Sequence, residues 1–119
     1  MNLAARVSGV PRPLGIHNVQ DLYDGFLAER LEREDALIAL GLSFGEQIVR
    51  TADFEWVRVS DEYGEETCVA PRGKTVHCAP ISMIKKRLMR GEVVDLARLR
   101  DHTIEVILKS LADGGVADR

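Results

Sequence analysis

The segment CVAPRGKTVHC, from Cys68 to Cys78, brings two thiols and the imidazole of His77 into one short stretch of the chain. Thiolate and imidazole groups are common zinc ligands, so the first chemistry to consider is a metal site. Structural zinc sites usually space their cysteines by roughly two to four residues and take ligands from a second pair. These two cysteines are farther apart, and the chain has no others. We therefore predict no metal and no other cofactor here, with both thiols free and reduced.

The other groups that catalyse reactions in enzymes are spread over different segments. They are Ser43, Ser82, His17 and His102. The sequence contains no nucleophile elbow, phosphate-binding loop or dinucleotide-binding fingerprint. Four carboxylates do cluster, at a predicted hairpin tip, where solvated turn residues are the usual explanation. These are Asp61, Glu62, Glu65 and Glu66. The sequence thus gives no positive support for an enzyme.

A basic group follows in the segment KKRLMR. Its members are Lys85, Lys86, Arg87 and Arg90. Such a group can bind phosphates or an acidic partner, but cations also suit the C-terminal end of a helix, which carries a partial negative charge. The net charge of -3 and the pI near 5.6 argue against nucleic acid as a partner.

Size and composition predict one globular domain. The chain has 119 residues, of which 45% are hydrophobic and 29% are charged. No apolar run reaches the roughly 18–20 residues that a membrane-spanning helix requires. The first residues contain no export signal, so we expect a cytoplasmic protein. We predict a mobile arm over residues 1–16, a single domain over residues 17–113 and a frayed tail over residues 114–119.

The N-terminal half of the predicted domain is helical. Apolar residues recur at spacings of three and four from Asn18, a candidate N-cap, to Leu31, and again from Ala36 to Val49. The charged run ERLERED separates the two patterns, although one long kinked helix explains them almost as well. The second helix has a broad apolar face, so we predict that it is central. Gly41 and Gly45 lie on it and indicate close approach of a neighbouring element.

Three strands are predicted after Asp53. FEWVRVS and EETCVA are joined by a DEYG turn, in which Gly64 takes a positive φ and Asp61 bonds to backbone two residues on. The turn PRGK then leads to TVHCA. A three-residue loop pairs Cys68 with Cys78 and separates polar from apolar faces, whereas a two-residue loop mixes them. We therefore predict that both cysteines face the core.

The C-terminal part returns to helices. Pro80 suits the first position of a helix that stops at Gly91, and Asp95 suits the N-cap of the last helix. The predicted order is ααβββαα. Helices at both ends of a small antiparallel meander indicate an α+β fold, in which the three-stranded sheet packs on helices.

Three segments, LGLSFGE, EWVRVSDEYG and PISMIKKRLMRGEVVDL, occur in this order along the chain. Together they resemble the pattern LG..FGE, EWV.V.DEYG, P.SMI.KR...GE.VD of an uncharacterised bacterial family, which is known as a domain of unknown function. The resemblance covers about residues 37–99. Two lysines precede Arg87 where the family often has Ser-Lys, and the N-terminal arm has no counterpart. The resemblance implies no activity and no cofactor.

Seven residues at motif positions of this resemblance are less well explained by folding alone. They are Trp56, Asp61, Glu62, Tyr63, Lys86, Arg87 and Glu92. Aromatic and charged side chains on a rigid surface are typical of protein-binding sites. We therefore predict a small cytoplasmic protein-binding module, of the adaptor or immunity type, that uses the hairpin of residues 56–64 and the helix of residues 85–90. The alternative is a small-ligand-binding protein or enzyme with a polar pocket between sheet and helices. Its contacts are Glu62, Tyr63, Lys86 and Arg87.

Overall fold

The computed structural model describes residues 15–29 and 33–112. These residues form four helices and one two-stranded antiparallel sheet in the order ααββαα, so the α+β class is confirmed. The elements are α1 (Ile16–Glu29), α2 (Glu34–Thr51), β1 (Phe54–Asp61), β2 (Gly64–Pro71), α3 (Pro80–Met89) and α4 (Leu96–Ala112). The predicted arm, apart from Gly15 and Ile16, and the predicted tail lie outside the described residues. None of the four helices is long and apolar enough to cross a membrane.

The two N-terminal patterns form two separate helices, since Arg33 before α2 is extended, with φ -66° and ψ 120°. Helix α1 buries Val19, Tyr23 and Phe26, which share one face. Asn18 is not the N-cap, because α1 begins at Ile16 and the Asn18 side chain accepts a hydrogen bond from the N–H of Gly15, at 3.1 Å. Helix α2 contacts the other three helices and both strands, and its central position is confirmed.

The β1–β2 hairpin has the predicted turn. Asp61 pairs with Gly64 across a two-residue loop, and the register runs from there to Phe54 opposite Pro71. The carboxylate of Asp61 accepts a hydrogen bond from the N–H of Tyr63, at 2.8 Å, and Gly64 has φ 120°. Local turn chemistry therefore determines this connection, as predicted.

The predicted third strand is wrong. The segment of residues 72–79 forms isolated bridges and no strand, and in one of these bridges Val69 and Cys78 exchange two hydrogen bonds of 3.0 Å. The predicted turn is drawn towards β1 instead, because the N–H of Arg72 donates to the carbonyl of Asp53 and that of Gly73 to the carboxylate of Glu55. The start of the predicted turn therefore continues the contact with the beginning of β1 instead of closing a second hairpin.

The predicted register of the cysteines is wrong by one residue, since Cys78 faces Val69 instead of Cys68. A shift of one residue moves a side chain to the other face of a strand, so the two thiols are not cross-strand partners. Cys68 is buried and Cys78 is half-buried. Burial raises the pKa of the Cys68 thiol, and the charge of Glu66 adds to this effect. Burial also raises the pKa of Cys78, from 9.0 to about 12, with a further contribution from Cys68.

We expect both cysteines to react slowly with a chromogenic disulfide reagent in the folded protein. Burial restricts access, and the raised pKa values keep the reactive thiolate fraction small at mildly alkaline pH. Labelling in urea should be fast, because the unfolded thiols are exposed. For Cys78, the pKa of about 12 keeps the thiolate fraction low throughout the mildly alkaline range. Rapid labelling of both thiols in the native state would contradict the burial seen here.

The C-terminal helices have the predicted ends. Pro80 is the first residue of α3, and Gly91 follows its end with φ 70°. The N–H of Gly91 donates to Leu88 and that of Glu92 to Arg87, which is the Schellman arrangement. Asp95 caps α4, since its carboxylate accepts a hydrogen bond from the N–H of Arg98, at 3.2 Å.

Candidate functional site

Trp56, the first of the seven predicted site residues, joins the hairpin to α2. Its indole N–H donates to a carboxylate oxygen of Glu46 at 2.9 Å, and the half-buried ring packs against the core. Gly45 provides the space, since a Cβ at this position would overlap the Trp56 ring and lie 2.7 Å from Cγ of Pro80. Trp56 therefore has a packing role and is only partly accessible.

The next three predicted site residues lie at the hairpin tip, residues 61–64. Asp61, Glu62 and Tyr63 are all exposed, and Tyr63 has 90% of its surface accessible. Within the described residues, the carboxylate of Glu62 has no hydrogen-bond or ion-pair partner. The tip thus presents one aromatic ring beside free negative charge.

The two strands behind the tip are braced by side chains. Arg58 donates to the Thr67 hydroxyl at 2.7 Å and to the Glu65 carboxylate at 3.2 Å, and Ser60 donates to the other oxygen of Glu65. These exposed bonds are individually weak, but together they tie both strands of the hairpin to one another. The hydroxyl of Ser82 on α3 donates to Glu66, which connects the hairpin to the helix.

The remaining three predicted site residues surround the end of α3. Lys86 is exposed, whereas Arg87 is half-buried and donates from Nη1 to the carbonyl of Met83 at 3.1 Å. The carbonyl of Glu92 accepts a hydrogen bond from the buried Tyr23 hydroxyl, at 2.7 Å. Burial raises the pKa of Tyr23, the charge of Glu92 adds to this and the charge of Arg87 opposes it. Glu92 therefore has a structural contact with α1, whereas Arg87 affects α1 only through its charge near Tyr23.

The seven residues thus fall into two groups, one at the hairpin and one at the end of α3. In the part of the chain that the structure describes, no hydrogen bond or ion pair links the tip to Lys86, Arg87 or Glu92. The bond between Ser82 and Glu66 lies between the two groups. We conclude that the predicted surface consists of two patches on a common framework.

A groove at the end of α3 was not predicted. It has a volume of about 850 Å³ and lies between the C-terminal end of α1, the start of α2 and the end of α3. Its lining is Phe26, Leu27, Glu34, Leu37, Lys85, Leu88, Met89, Arg90, Gly91 and Val93. None of Glu62, Tyr63, Lys86 and Arg87 lines it. The groove is therefore not the polar pocket of the alternative interpretation, which stays a prediction.

Two side chains of α1 hold the connection that forms one wall of this groove. Tyr23 bonds to Glu92, as described above, and the amide of Gln20 donates to the carbonyl of Val94 at 2.8 Å. The amide oxygen of Gln20 accepts the N–H of Leu96 at 2.7 Å, which satisfies a free donor at the start of α4. Residues 92–96 are thus fixed to α1, and Val93 projects from a defined backbone.

No group of three or more His, Cys, Asp and Glu side chains that would suit a metal ion occurs in residues 15–29 and 33–112. His77 is exposed, and its Nδ1 lies 2.8 Å from the carbonyl of Thr75. The raised pKa values of both cysteines disfavour the thiolate form that binds metals.

Fold and surface together define a small α+β domain with an exposed aromatic hairpin tip and a groove of mixed polar and apolar lining at a helix end. The chain belongs to the DUF3806 family, a domain of unknown function, which it matches over residues 16–99. This match extends from α1 to the first turn of α4 and covers more than half of the chain, so the predicted membership of such a family is confirmed. No curated protein and no solved structure matches the chain.

Proposed function

We propose that this chain is a small cytoplasmic protein-binding module whose main contact is the hairpin tip. The observation that carries this proposal is the 90% exposure of Tyr63 at the end of a braced hairpin. Tyrosine is enriched among the residues that dominate binding energy, because its ring buries a large area and its hydroxyl still finds a polar partner.

The rigidity of the tip supports this role. Asp61 bonds to the Tyr63 backbone, Gly64 takes the φ that the turn requires, and Arg58 ties the strands together. A surface that is already ordered loses less conformational entropy when a partner binds, so more of the contact energy contributes to affinity.

The end of α3 serves as the second contact. Lys86 is exposed and unpaired among the described residues, so it is the member of this patch best placed to pair with a carboxylate of a partner. Arg87 and Glu92 take part through their accessible atoms, while the carbonyl of Glu92 also accepts the hydrogen bond from Tyr23 of α1. An exposed ion pair of this kind adds specificity and association rate more than affinity.

A photo-crosslinking amino acid at position 63 tests the proposal in cells of the native host. We expect it to give a discrete crosslinked product with another protein chain, and the same residue at position 109 to give none. Lys109 is the matched control, because it is exposed on α4 and makes no hydrogen bond or ion pair within the described residues. Crosslinking at 63 should fall when Glu62 and Lys86 are changed to alanine. The same products from both positions would show that the tip has no particular role.

A further inference from the structure

Two apolar side chains beside the groove are exposed in the part of the chain that the structure describes. Within residues 15–29 and 33–112, five large apolar residues are markedly exposed, and two of them line this groove. These two are Met89, which is 73% exposed, and Val93, which is 88% exposed. Exposed apolar side chains that border a concave surface are typical of interaction sites, whereas scattered single ones need no explanation.

The charges around the groove favour an occupant with carboxylates. Lys85 is neutralised, because its Nζ lies 2.9 Å from the carboxylate of Glu34. Arg90 is held only loosely, at 3.7 Å from the carboxylate of Glu92. Lys86 does not line the groove. The groove therefore has a mixed polar and apolar lining, in which Arg90 is the cation with the weaker ion pair.

One exposed segment of this chain has the complementary composition. The hairpin tip carries the Tyr63 ring beside the carboxylates of Asp61 and Glu62. Residues 1–14 contain Arg6 and Arg12 and no carboxylate, so their charge has the same sign as that of Arg90. Residues 113–119 contain aspartates but no aromatic side chain.

We infer that the groove receives the hairpin tip of a second copy of this chain. The tip of the same molecule does not occupy it, since Tyr63 is 90% exposed. In the pair, the Tyr63 ring packs between Met89 and Val93, where the thioether makes a favourable contact with an aromatic ring. Glu62 then approaches Arg90. If each copy offers both surfaces, the two contacts close a symmetric dimer.

This inference rests on the proposed function, because it names the partner of the tip as the chain itself. Sedimentation equilibrium of the full-length protein over a micromolar concentration series tests it. We expect the mass of two chains at the upper end and a dissociation constant that rises with salt, since screening weakens the approach of Glu62 to Arg90. Tyr63→Ala should raise that constant at least about tenfold, as expected for a truncated aromatic hot spot.

Two valines provide a matched comparison of the groove with the rest of the surface. Val93→Glu should raise the dissociation constant at least about tenfold, because it places a charge against the Tyr63 ring. Val106→Glu makes the same change at a residue of α4 that is 51% exposed and lies outside the groove, and it should leave the dimer unchanged. Circular dichroism checks that each variant is folded. Equal effects of the two substitutions would overturn the inference.

A mixing experiment separates a specific contact from general stickiness. Tyr63→Ala retains its groove and Val93→Glu retains its tip, so a mixture of the two restores one intact contact. We expect this mixture to form a one-to-one pair at concentrations where each variant alone is a monomer. A wild-type protein that stays monomeric throughout, or a mixture that does not pair, overturns the inference. Crosslinks from position 63 to a different protein would then still support the proposed function.

Discussion

Tyr23→Ala is expected to lower the free energy of unfolding by about 3–5 kcal/mol, the usual range for removal of a buried aromatic ring. Tyr23 is completely buried between α1 and the rest of the core. The substitution leaves a cavity, and it also leaves the carbonyl of Glu92 without the hydroxyl that lies 2.7 Å away. Denaturant titration with linear extrapolation measures the change.

Tyr23→Phe separates these two contributions, because it keeps the ring and removes only the hydroxyl. We expect it to lower the free energy of unfolding by about 1–2 kcal/mol, since the part-buried carbonyl of Glu92 loses its partner. Its effect should also be local, with faster amide hydrogen exchange at residues 92–96. A Tyr23→Phe variant as stable as wild type would show that the hydroxyl contributes nothing to holding this connection. The cavity explanation would then account for the whole effect of alanine.

The parts of the fold that depend on local chemistry could be predicted from the sequence. Asp61 and Gly64 determine their turn, Pro80 begins α3, Gly91 ends it and Asp95 caps α4. Each of these features involves residues within a few positions of one another, so the sequence contains the whole interaction. The helix and strand patterns are also local, so the predicted α+β class was correct for the same reason.

The sequence could not show that the predicted third strand does not form, because the pairing of this segment depends on distant residues. The turn after β2 is directed by Asp53 and Glu55, which precede Arg72 and Gly73 by 19 and 18 residues. The alternating pattern of TVHCA predicts which side chains share a face of a strand. It does not predict whether a neighbouring strand pairs with this segment. Separation of polar from apolar faces therefore favours the wrong register for Cys68 and Cys78.

Part of the candidate site could be predicted from the sequence. Turn residues identify the exposed tip, and Tyr63 within it is the only aromatic residue. The packing role of Trp56 was not predictable, since it requires the approach of β1 to Gly45 and Pro80. The groove was missed for the same reason, because its walls come from three helices. Met89 and Val93, apolar residues on either side of the Gly91 stop, were the available signal.

The helical glycines show the same limit. A Cβ added at Gly25 in α1 would have no neighbouring atom within 4 Å, whereas a Cβ at Gly41 in α2 would lie 2.5 Å from Cα of Ile81 and 3.0 Å from its Cγ1. Both residues stand in an apolar helical pattern, so the sequence alone does not distinguish them. The packing of α3 against α2 does, and it confirms the predicted close approach at Gly41.

Gly41→Ala is accordingly expected to lower the free energy of unfolding by about 2 kcal/mol. The overlap involves the backbone of Ile81, so a side-chain rotation does not relieve it and α3 must move away from α2. Overpacking of this kind costs about 1–3 kcal/mol, occasionally more, and the gain in helix propensity offsets up to about 1 kcal/mol. Gly25→Ala makes the same change in open space, so it should instead raise the free energy of unfolding by about 0.5–1 kcal/mol. Urea titration of the two variants compares these signs. A stabilised Gly41→Ala protein would contradict this expectation. It would mean that α2 and α3 lie farther apart than the 2.5 Å between the added Cβ and Cα of Ile81 implies.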